Sequence, residues 1–244
     1  MRLAIISDIH GNISALKATF AKLSEHGYDR IICLGDVVGY GATPEDCIDF
    51  LAERGIETIC GNHDYLTYSE KKDKIQPYAE YVIKWMQDKL DRKYINWLSK
   101  LPFKLSLENI EFAHASLECT DGRYWPYVLD QHTAQFHFFC QTKTISASGH
   151  THIPLLIRYK VTSTTFELLK NCILDLTENE KVIINPGSVG QPRDLDPRAS
   201  SVIFDLKRNC ISVIRAEYDI AKAQKDIIKA GLPKNLASRL SAGM

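Results

Sequence analysis

Several short segments of this chain carry the residue types of metal and phosphoryl chemistry. They are Asp8-Ile9-His10-Gly11-Asn12, Gly35-Asp36, Gly61-Asn62-His63-Asp64, His114 and Gly149-His150-Thr151-His152. Carboxylate, amide and imidazole donors without thiolate suit Mn²⁺, Fe, Zn²⁺, Co²⁺ or Ni²⁺. Asp8, His10, Asp36, Asn62, His114, His150 and His152 are more ligands than one tetrahedral zinc ion takes. Two divalent ions sharing one carboxylate would use them all. Paired ions about 3.5–4 Å apart are the usual device for in-line displacement at phosphorus. The glycines let the loops turn sharply beside such ions.

Each residue has a plainer reading when taken alone. A lone Asp before a turn stabilises the turn. His26, beside Gly27, fits a helix C-terminal cap. His132 and His137 fall five apart on one helix and face different sides. What sets the clusters apart is their position in the elements that carry them.

Leu3-Ala4-Ile5-Ile6 reads as a buried strand, and Arg30 to Leu34 and Glu57 to Cys60 as a second and third. Ile13, Leu16, Phe20 and Leu23 recur at helical spacing, with Gly27 as a stop. Thr43-Pro44-Glu45-Asp46 starts a second helix: Thr as N-cap, Pro at the first position, acids in the first turn. Strand and helix alternate, so a parallel sheet covered by helices is expected. Asp8 and His10, Asp36, and Asn62 and His63 then follow three successive strands at the carboxyl edge, where open sheets bind ligands. His114 and the His150, His152 pair end two further apolar runs. If the chain stays extended there, residues two apart face one site, so Asp8 pairs with His10 and His150 with His152.

Tyr78, Val82, Trp85, Met86 and Leu90 fit a helical face, as do Tyr94, Ile95, Trp97 and Leu98. Beyond residue 103 strands are expected at 103–107, 110–113, 144–148, 154–159, 180–184, 200–206 and 211–216. A helix is expected over Asp130 to Cys140, and one or two in the last 25 residues around Gly231-Leu232-Pro233. The whole, 1–244, reads as a single α/β domain with two stacked sheets and a helical, aromatic, cap-like insertion at about 65–100.

Composition narrows the function. Thirty Lys and Arg balance thirty Asp and Glu, so no overall basic field exists to hold nucleic acid, which is disfavoured as a partner. No apolar run approaches the ~20 residues of a membrane helix. The stretch Leu3 to Ile6 is too short for a secretory signal. The seven cysteines form no CxxC motif and fit a reducing compartment, so a cytoplasmic location is expected. A homo-oligomer is allowed.

The motifs Asp8-Ile9-His10, Gly35-Asp36, Gly61-Asn62-His63-Asp64, His114 and Gly149-His150-Thr151-His152 resemble the calcineurin-like metallophosphoesterase superfamily. Asn185-Pro186-Gly187-Ser188-Val189-Gly190 is similar to its small bacterial and archaeal phosphodiesterase branch. The resemblance implies an αββα sandwich of two mixed sheets flanked by helices, with a dinuclear metal site at the strand ends. It makes Asp8, His10, Asp36 and His152 ligands of one ion, and Asp36, Asn62, His114 and His150 ligands of the other. Asp36 bridges, and manganese is the metal expected first. His63 matches the catalytic histidine. The implied reaction is attack on phosphorus by a hydroxide bridging the ions, with a small phosphorylated substrate or nucleotide.

One departure matters. Protein phosphatases of the superfamily carry Asp and Arg where this chain has Gly39 and Tyr40. A protein phosphatase is therefore disfavoured, and phosphodiesters or nucleotides are the expected substrates. Arg193 or Arg198 could clamp phosphate, or could simply pair with Asp194 and Asp196. Tyr40, Tyr124 and Arg193 are the candidate substrate-binding residues, with Trp125 beside them. The rival readings are a pyrophosphohydrolase of dinucleoside polyphosphates and a non-catalytic scaffold of the same fold. The intact ligand set and His63 argue against the scaffold.

Overall fold

Strand β1 (Arg2–Ile6) shows how the chain sorts into layers. Its side chains alternate: Leu3 and Ile5 join one apolar cluster, Ala4 and Ile6 another. The first cluster also takes Phe112, Ile145, Leu156, Val182 and Ile184 and lies between two sheets. The second packs the same strand against helices. A computed structural model describes residues 1–70, 77–118, 121–122, 124–161 and 163–244, with the backbone alone for 77–79.

One sheet joins β1 to β2 (Arg30–Cys33), β3 (Glu57–Thr58), β9 (Cys172–Ile173), β11 (Ala199–Asp205) and β12 (Cys210–Ala216). Its order is β3-β2-β1-β11-β12-β9, parallel across the first three and antiparallel beyond. The other joins β4 (Lys104–Leu107), β5 (Ile110–Ala113), β6 (Ile145–Ser148), β7 (Pro154–Lys160), β8 (Ser163–Leu168) and β10 (Glu180–Pro186). Its order is β4-β5-β6-β10-β7-β8, with β5, β6 and β10 parallel.

Helices α1 (Ile13–His26) and α2 (Pro44–Glu53) cover the first sheet, together with α7 (Ile220–Lys229) and α8 (Lys234–Ala242). The apolar faces of α4 (Pro77–Lys89) and α5 (Arg92–Leu98) join the core of this helical layer. Val82, Met86, Leu90, Tyr94 and Leu98 lie in the same apolar cluster as Leu16, Ile48 and Leu236. Helix α6 (Gln131–Cys140) covers the second sheet through Ala134 and Phe138 against Leu155, Ile157 and Ile183. The two mixed sheets flanked by helices are those the resemblance implied. Among the described residues no helix is long and apolar enough to cross a membrane.

Local chemistry explains where the elements differ from expectation. Thr43 precedes α2, but its hydroxyl donates to the Gly11 carbonyl (2.7 Å) and accepts from Ile13 N–H (3.1 Å) instead of capping. It ties the start of α1 to the start of α2. Strand β3 stops at Thr58 because Cys60 N–H turns away to the Pro102 carbonyl, 2.8 Å off. Residues 62–68 form helix α3 (Asn62–Tyr68), which starts within the Gly61-Asn62-His63-Asp64 motif, ahead of the helical insertion expected from about 65. Strands β8 and β9 were not expected: β8 is an exposed, mostly polar edge strand, and β9 has two residues. Cys33, Cys47, Cys60, Cys140, Cys172 and Cys210 are free thiols. Cys119 and the side chain of Tyr78 lie outside the described residues.

Candidate metal centre

The loops after β1, β2 and β10 knit together by backbone bonds. Asp8 N–H donates to Gly35 O (3.0 Å), His10 N–H to Asp36 O (2.9 Å) and Gly190 N–H to Asp8 O (2.9 Å). Gly149 N–H joins the loop after β6 to His114 O at 2.8 Å. These bonds gather five chain segments into one buried cluster.

The extended geometry expected of the ligand loops is not what forms. Asp8, His10, Asp36, His150 and His152 all have positive φ, between 49° and 65°. That region is uncommon for residues other than glycine. The turns aim neighbours differently. His152 faces His10 and Asp8, whereas His150 faces His114. The pair therefore serves two points, not one.

Four imidazoles show what the cluster is built to hold. Nδ1 of His10, His114 and His152 lies 3.1, 2.8 and 2.6 Å from the carbonyls of Val38, Leu34 and Gln191. His150 Nε2 lies 3.1 Å from the Trp125 carbonyl. A carbonyl only accepts, so each of these nitrogens carries the proton. The remaining nitrogens then offer lone pairs, and they meet in pairs. His10 Nε2 is 3.1 Å from His152 Nε2, and His114 Nε2 is 3.2 Å from His150 Nδ1. Two lone pairs at that distance repel unless a cation joins them, a metal ion or, at His114, the proton that its raised pKa retains. Carbonyl-oriented imidazoles are the usual outer support of metal ligands.

Carboxylates complete both pairs. Asp8 Oδ1 is 3.3 Å from His152 Nε2 and 3.8 Å from His10 Nε2. It is buried and accepts no hydrogen bond. Asp36 Oδ2 is 3.6 Å from His10 Nε2 and 3.3 Å from His114 Nε2, so it stands between the pairs. Asn62 Oδ1 approaches His114 Nε2 at 3.1 Å. Ligand atoms fall into compact groups, Asp8-His10-His152 and Asp36-His114-His150, able to hold cations; His63 joins His10 and Asp36 in a third.

The electrostatics keep most of the imidazoles neutral. Burial pushes the Asp8 carboxyl up to about 6. At Asp36 burial is outweighed by the neighbouring histidines, and its pKa falls. At His114 burial is outweighed by Asp36 and Asp8, and its pKa rises to about 9. Burial lowers His10, His63 and His152, and takes His150 down to about 3. Three of the four paired imidazoles are thus neutral, as ligands must be.

All eight residues expected at the centre converge there. His63 is buried, and its Nδ1 has no hydrogen-bond partner. Its ring packs edge-on against Tyr40 (4.4 Å between centroids) and His10 (5.0 Å). Tyr40 thus lines the site. Tyr124 is 56% exposed and has no ring contact among the described residues. Its neighbours pack instead, Tyr127 stacked on His150 at 4.0 Å and Trp125 edge-on to His114 at 5.7 Å. Arg198 is exposed and paired with Asp196 at 2.7 Å, which removes it as a phosphate clamp.

Sequence reasoning missed two supports. Buried Asp64 accepts N–H bonds from Val37 (2.9 Å), Val38 (3.1 Å) and Gly61 (3.0 Å), bracing the Asp36 loop on the start of α3. Its place directly after Asn62-His63 was the available signal. Gln191 orients His152 through its carbonyl, and nothing in the sequence marks it.

The fold and this cluster define a metal-dependent phosphoesterase scaffold. The chain belongs to the calcineurin-like phosphoesterase superfamily, whose domain matches residues 1–209. Among solved structures, a metallophosphoesterase from Sphaerobacter thermophilus is 33% identical with a TM-score of 0.87, over 100% of this chain and 99% of its own. The uncharacterized protein MJ0912 of Methanocaldococcus jannaschii is 35% identical over 247 residues, 99% of this chain and 98% of its own. The hypothetical protein PH1004 of Pyrococcus horikoshii OT3 shares the fold at 21% identity and a TM-score of 0.78, over 100% and 98% of the two chains.

Proposed function

We propose that this chain hydrolyses small phosphodiesters or nucleotides with two divalent cations, manganese first among them, and works in the cytoplasm. The facing imidazole pairs, with Asp36 between them, carry this reading. Asp8, His10, Asp36 and His152 would hold one ion, and Asp36, Asn62, His114 and His150 the other. Bound there, such ions acidify water and neutralise charge building on phosphoryl oxygens.

The chain's own residues then do the rest. The carbonyls of Leu34, Val38, Trp125 and Gln191 hold the imidazoles in one tautomer. Asp64 holds the Asp36 loop in place. Trp125 and Tyr127 cover His114 and His150 and limit water on that side. His63, not needed for either ion, hydrogen-bonds or protonates the departing oxygen. The whole of 1–244 acts as one catalytic domain, since α4 and α5 share the core of the helices around them.

The test is to strip the protein of metal and reload it with Mn²⁺, Ni²⁺, Zn²⁺ or Mg²⁺. Phosphomonoesters, diesters, nucleotides, dinucleoside polyphosphates and phosphopeptides are then assayed. An aryl phosphodiester hydrolysed at least as well as its monoester is the expected result. Preference for phosphopeptides over every small ester would overturn the substrate class. Tight binding of two ions with no hydrolysis of any ester would favour the scaffold.

A further inference from the structure

Arg193 lies in the loop after β10, beside the centre, and its surroundings do not account for its charge. A guanidinium is ionised at every physiological pH and is normally matched by a carboxylate. The two acids that follow it are taken. Asp194 pairs with Arg215, and Asp196 with Arg198. Among the described residues no carboxylate forms an ion pair with Arg193. Its Nη2 donates to the neutral Gln191 Oε1 at 3.0 Å, and its Nε–H is buried with no acceptor. A buried donor left unmatched is costly.

The position is fixed rather than incidental. Arg193 N–H donates to the His152 carbonyl at 3.2 Å, while His152 Nδ1 donates to the Gln191 carbonyl at 2.6 Å. One turn thus orients both a cation-facing imidazole and the guanidinium. The guanidinium carbon stands 5.9 Å from the centroid of Tyr40, whose ring packs on His10 and His63. Its charge is felt at Asp8, His10, His63, His150 and His152. A further positive charge beside a cluster that collects cations is unfavourable unless an anion joins them. The missing partner is therefore an anion that meets the centre and Arg193 together.

We propose that Arg193 is a phosphate-positioning residue whose guanidinium binds a non-bridging oxygen of the phosphoryl group held at the centre. The assignment rests on the phosphoesterase reading above. It makes Arg193 specific for tetrahedral oxyanions, with Gln191 holding it in aim. Arginine suits the task because its planar fork can meet two oxygens at once.

The experiment uses the Mn²⁺-loaded protein, wild type, Arg193→Lys and Arg193→Ala. Inorganic phosphate binding is measured by calorimetry beside metal content and kinetics on an aryl diester. With bound metal unchanged, Arg193→Ala should weaken phosphate at least ~10-fold and lower kcat/KM by ~10²-fold. Arg193→Lys should fall between, and added guanidinium should restore part of the loss in Arg193→Ala. Unchanged phosphate affinity in Arg193→Ala would overturn the proposal, as would loss of metal without any guanidinium rescue. The latter would make Arg193 a brace for the His152 turn. If the wild type holds two ions but neither binds phosphate nor hydrolyses any ester, the phosphoesterase reading itself fails. If the wild type does both and Arg193→Ala matches it, only the role of Arg193 fails.

Discussion

Gly39 and His63 share one packing position: a methyl built on Gly39 would stand 2.6 Å from His63 Nδ1 and 2.8 Å from its Cγ. Gly39 also has φ of +102°, which a side chain rarely adopts. The position that carries Asp in the protein phosphatases of the superfamily is therefore closed to any side chain here. The His63 ring is held by contacts with Tyr40 and His10, and among the described residues no carboxylate bonds its Nδ1.

Gly39→Ala should consequently push the His63 imidazole aside and crowd His10 as well, whose Nδ1 would lie 3.1 Å from the new methyl. Turnover should fall by ~10²-fold or more, approaching that of a His63 variant, since acid or hydrogen-bond help to a leaving group is worth ~10²–10⁴-fold. Steady-state kinetics with parallel elemental analysis decide. Normal turnover in Gly39→Ala would mean that the His63 ring has room to move.

Much of this was legible in the chain because strand and helix periods are strong signals near the N-terminus. Ala4 and Ile6 against Leu3 and Ile5, or Ile13, Leu16, Phe20 and Leu23, give their layers away by spacing alone. The clustering of donors at strand ends was legible for the same reason. Their backbone was not. Positive φ at Asp8, His10, Asp36, His150 and His152 is imposed by bonds between distant loops, such as Gly190 to Asp8. Nothing local to those residues encodes it. Edge strand β8 was missed because its exposed polar residues carry no apolar alternation. Gln191 escaped because its role depends on which imidazole it meets.

Asp36 should be the residue on which both ions depend. Its Oδ2 lies 3.6 and 3.3 Å from the free nitrogens of His10 and His114, one from each pair. Asp36→Ala should lose most of the bound metal and all measurable turnover. Asp8→Ala or His114→Ala should weaken mainly one ion each. Metal stoichiometry after dialysis checks this: two tightly held ions and normal turnover in Asp36→Ala would refute the assignment.

Asp64 supports the centre without facing it. Its carboxylate satisfies three backbone N–H groups, on Val37, Val38 and Gly61. Asp64→Ala would leave these buried donors unmet, at about 1–3 kcal/mol each. A loss on the order of 3–5 kcal/mol in stability is expected, together with weaker metal binding. Asp64→Asn keeps one acceptor oxygen and should lose about half as much. Denaturant unfolding of the two variants beside wild type measures both.

Acid stability should turn in part on His137, ahead of Glu111. His137 is buried on α6, its Nε2 2.8 Å from Ser146 Oγ and its Nδ1 accepting from Leu117 N–H at 3.3 Å. Burial pushes its pKa down to about 3, so the folded protein refuses a proton that the unfolded chain takes near pH 6.5. That contribution is full above pH 6.5 and is lost as pH falls toward 3, by about 1.4 kcal/mol per unit. Glu111 acts lower. Burial raises its carboxyl, but Lys104 and the N–H groups of Lys143 and Thr142 outweigh this and bring it to about 2. Its stabilisation is full above about 4.5 and is lost as pH falls toward 2. The stability difference between wild type and His137→Gln should therefore shrink as pH drops from 6.5 to 5. A difference independent of pH would contradict the buried neutral state.

His63 remains the test of mechanism. It follows Asn62 at the start of α3, so the helix delivers it to the centre without making it necessary to either imidazole pair. Its backbone N–H donates to Asp36 Oδ1 at 2.8 Å, which fixes the residue on the shared carboxylate. A side chain so placed can help a leaving oxygen depart, and that help matters most when the oxygen is a poor anion. An alkoxide needs it, whereas nitrophenolate departs unaided. His63→Gln should therefore keep both ions and lose ~10²–10⁴-fold on alkyl esters. It should lose much less on nitrophenyl esters, with kcat changing more than KM. Elemental analysis and rates across a series of leaving groups read this directly. Equal losses for good and poor leaving groups would leave His63 as a stabiliser of charge on phosphorus. Loss of metal would make it a ligand, a role that its nearness to His10 and Asp36 permits.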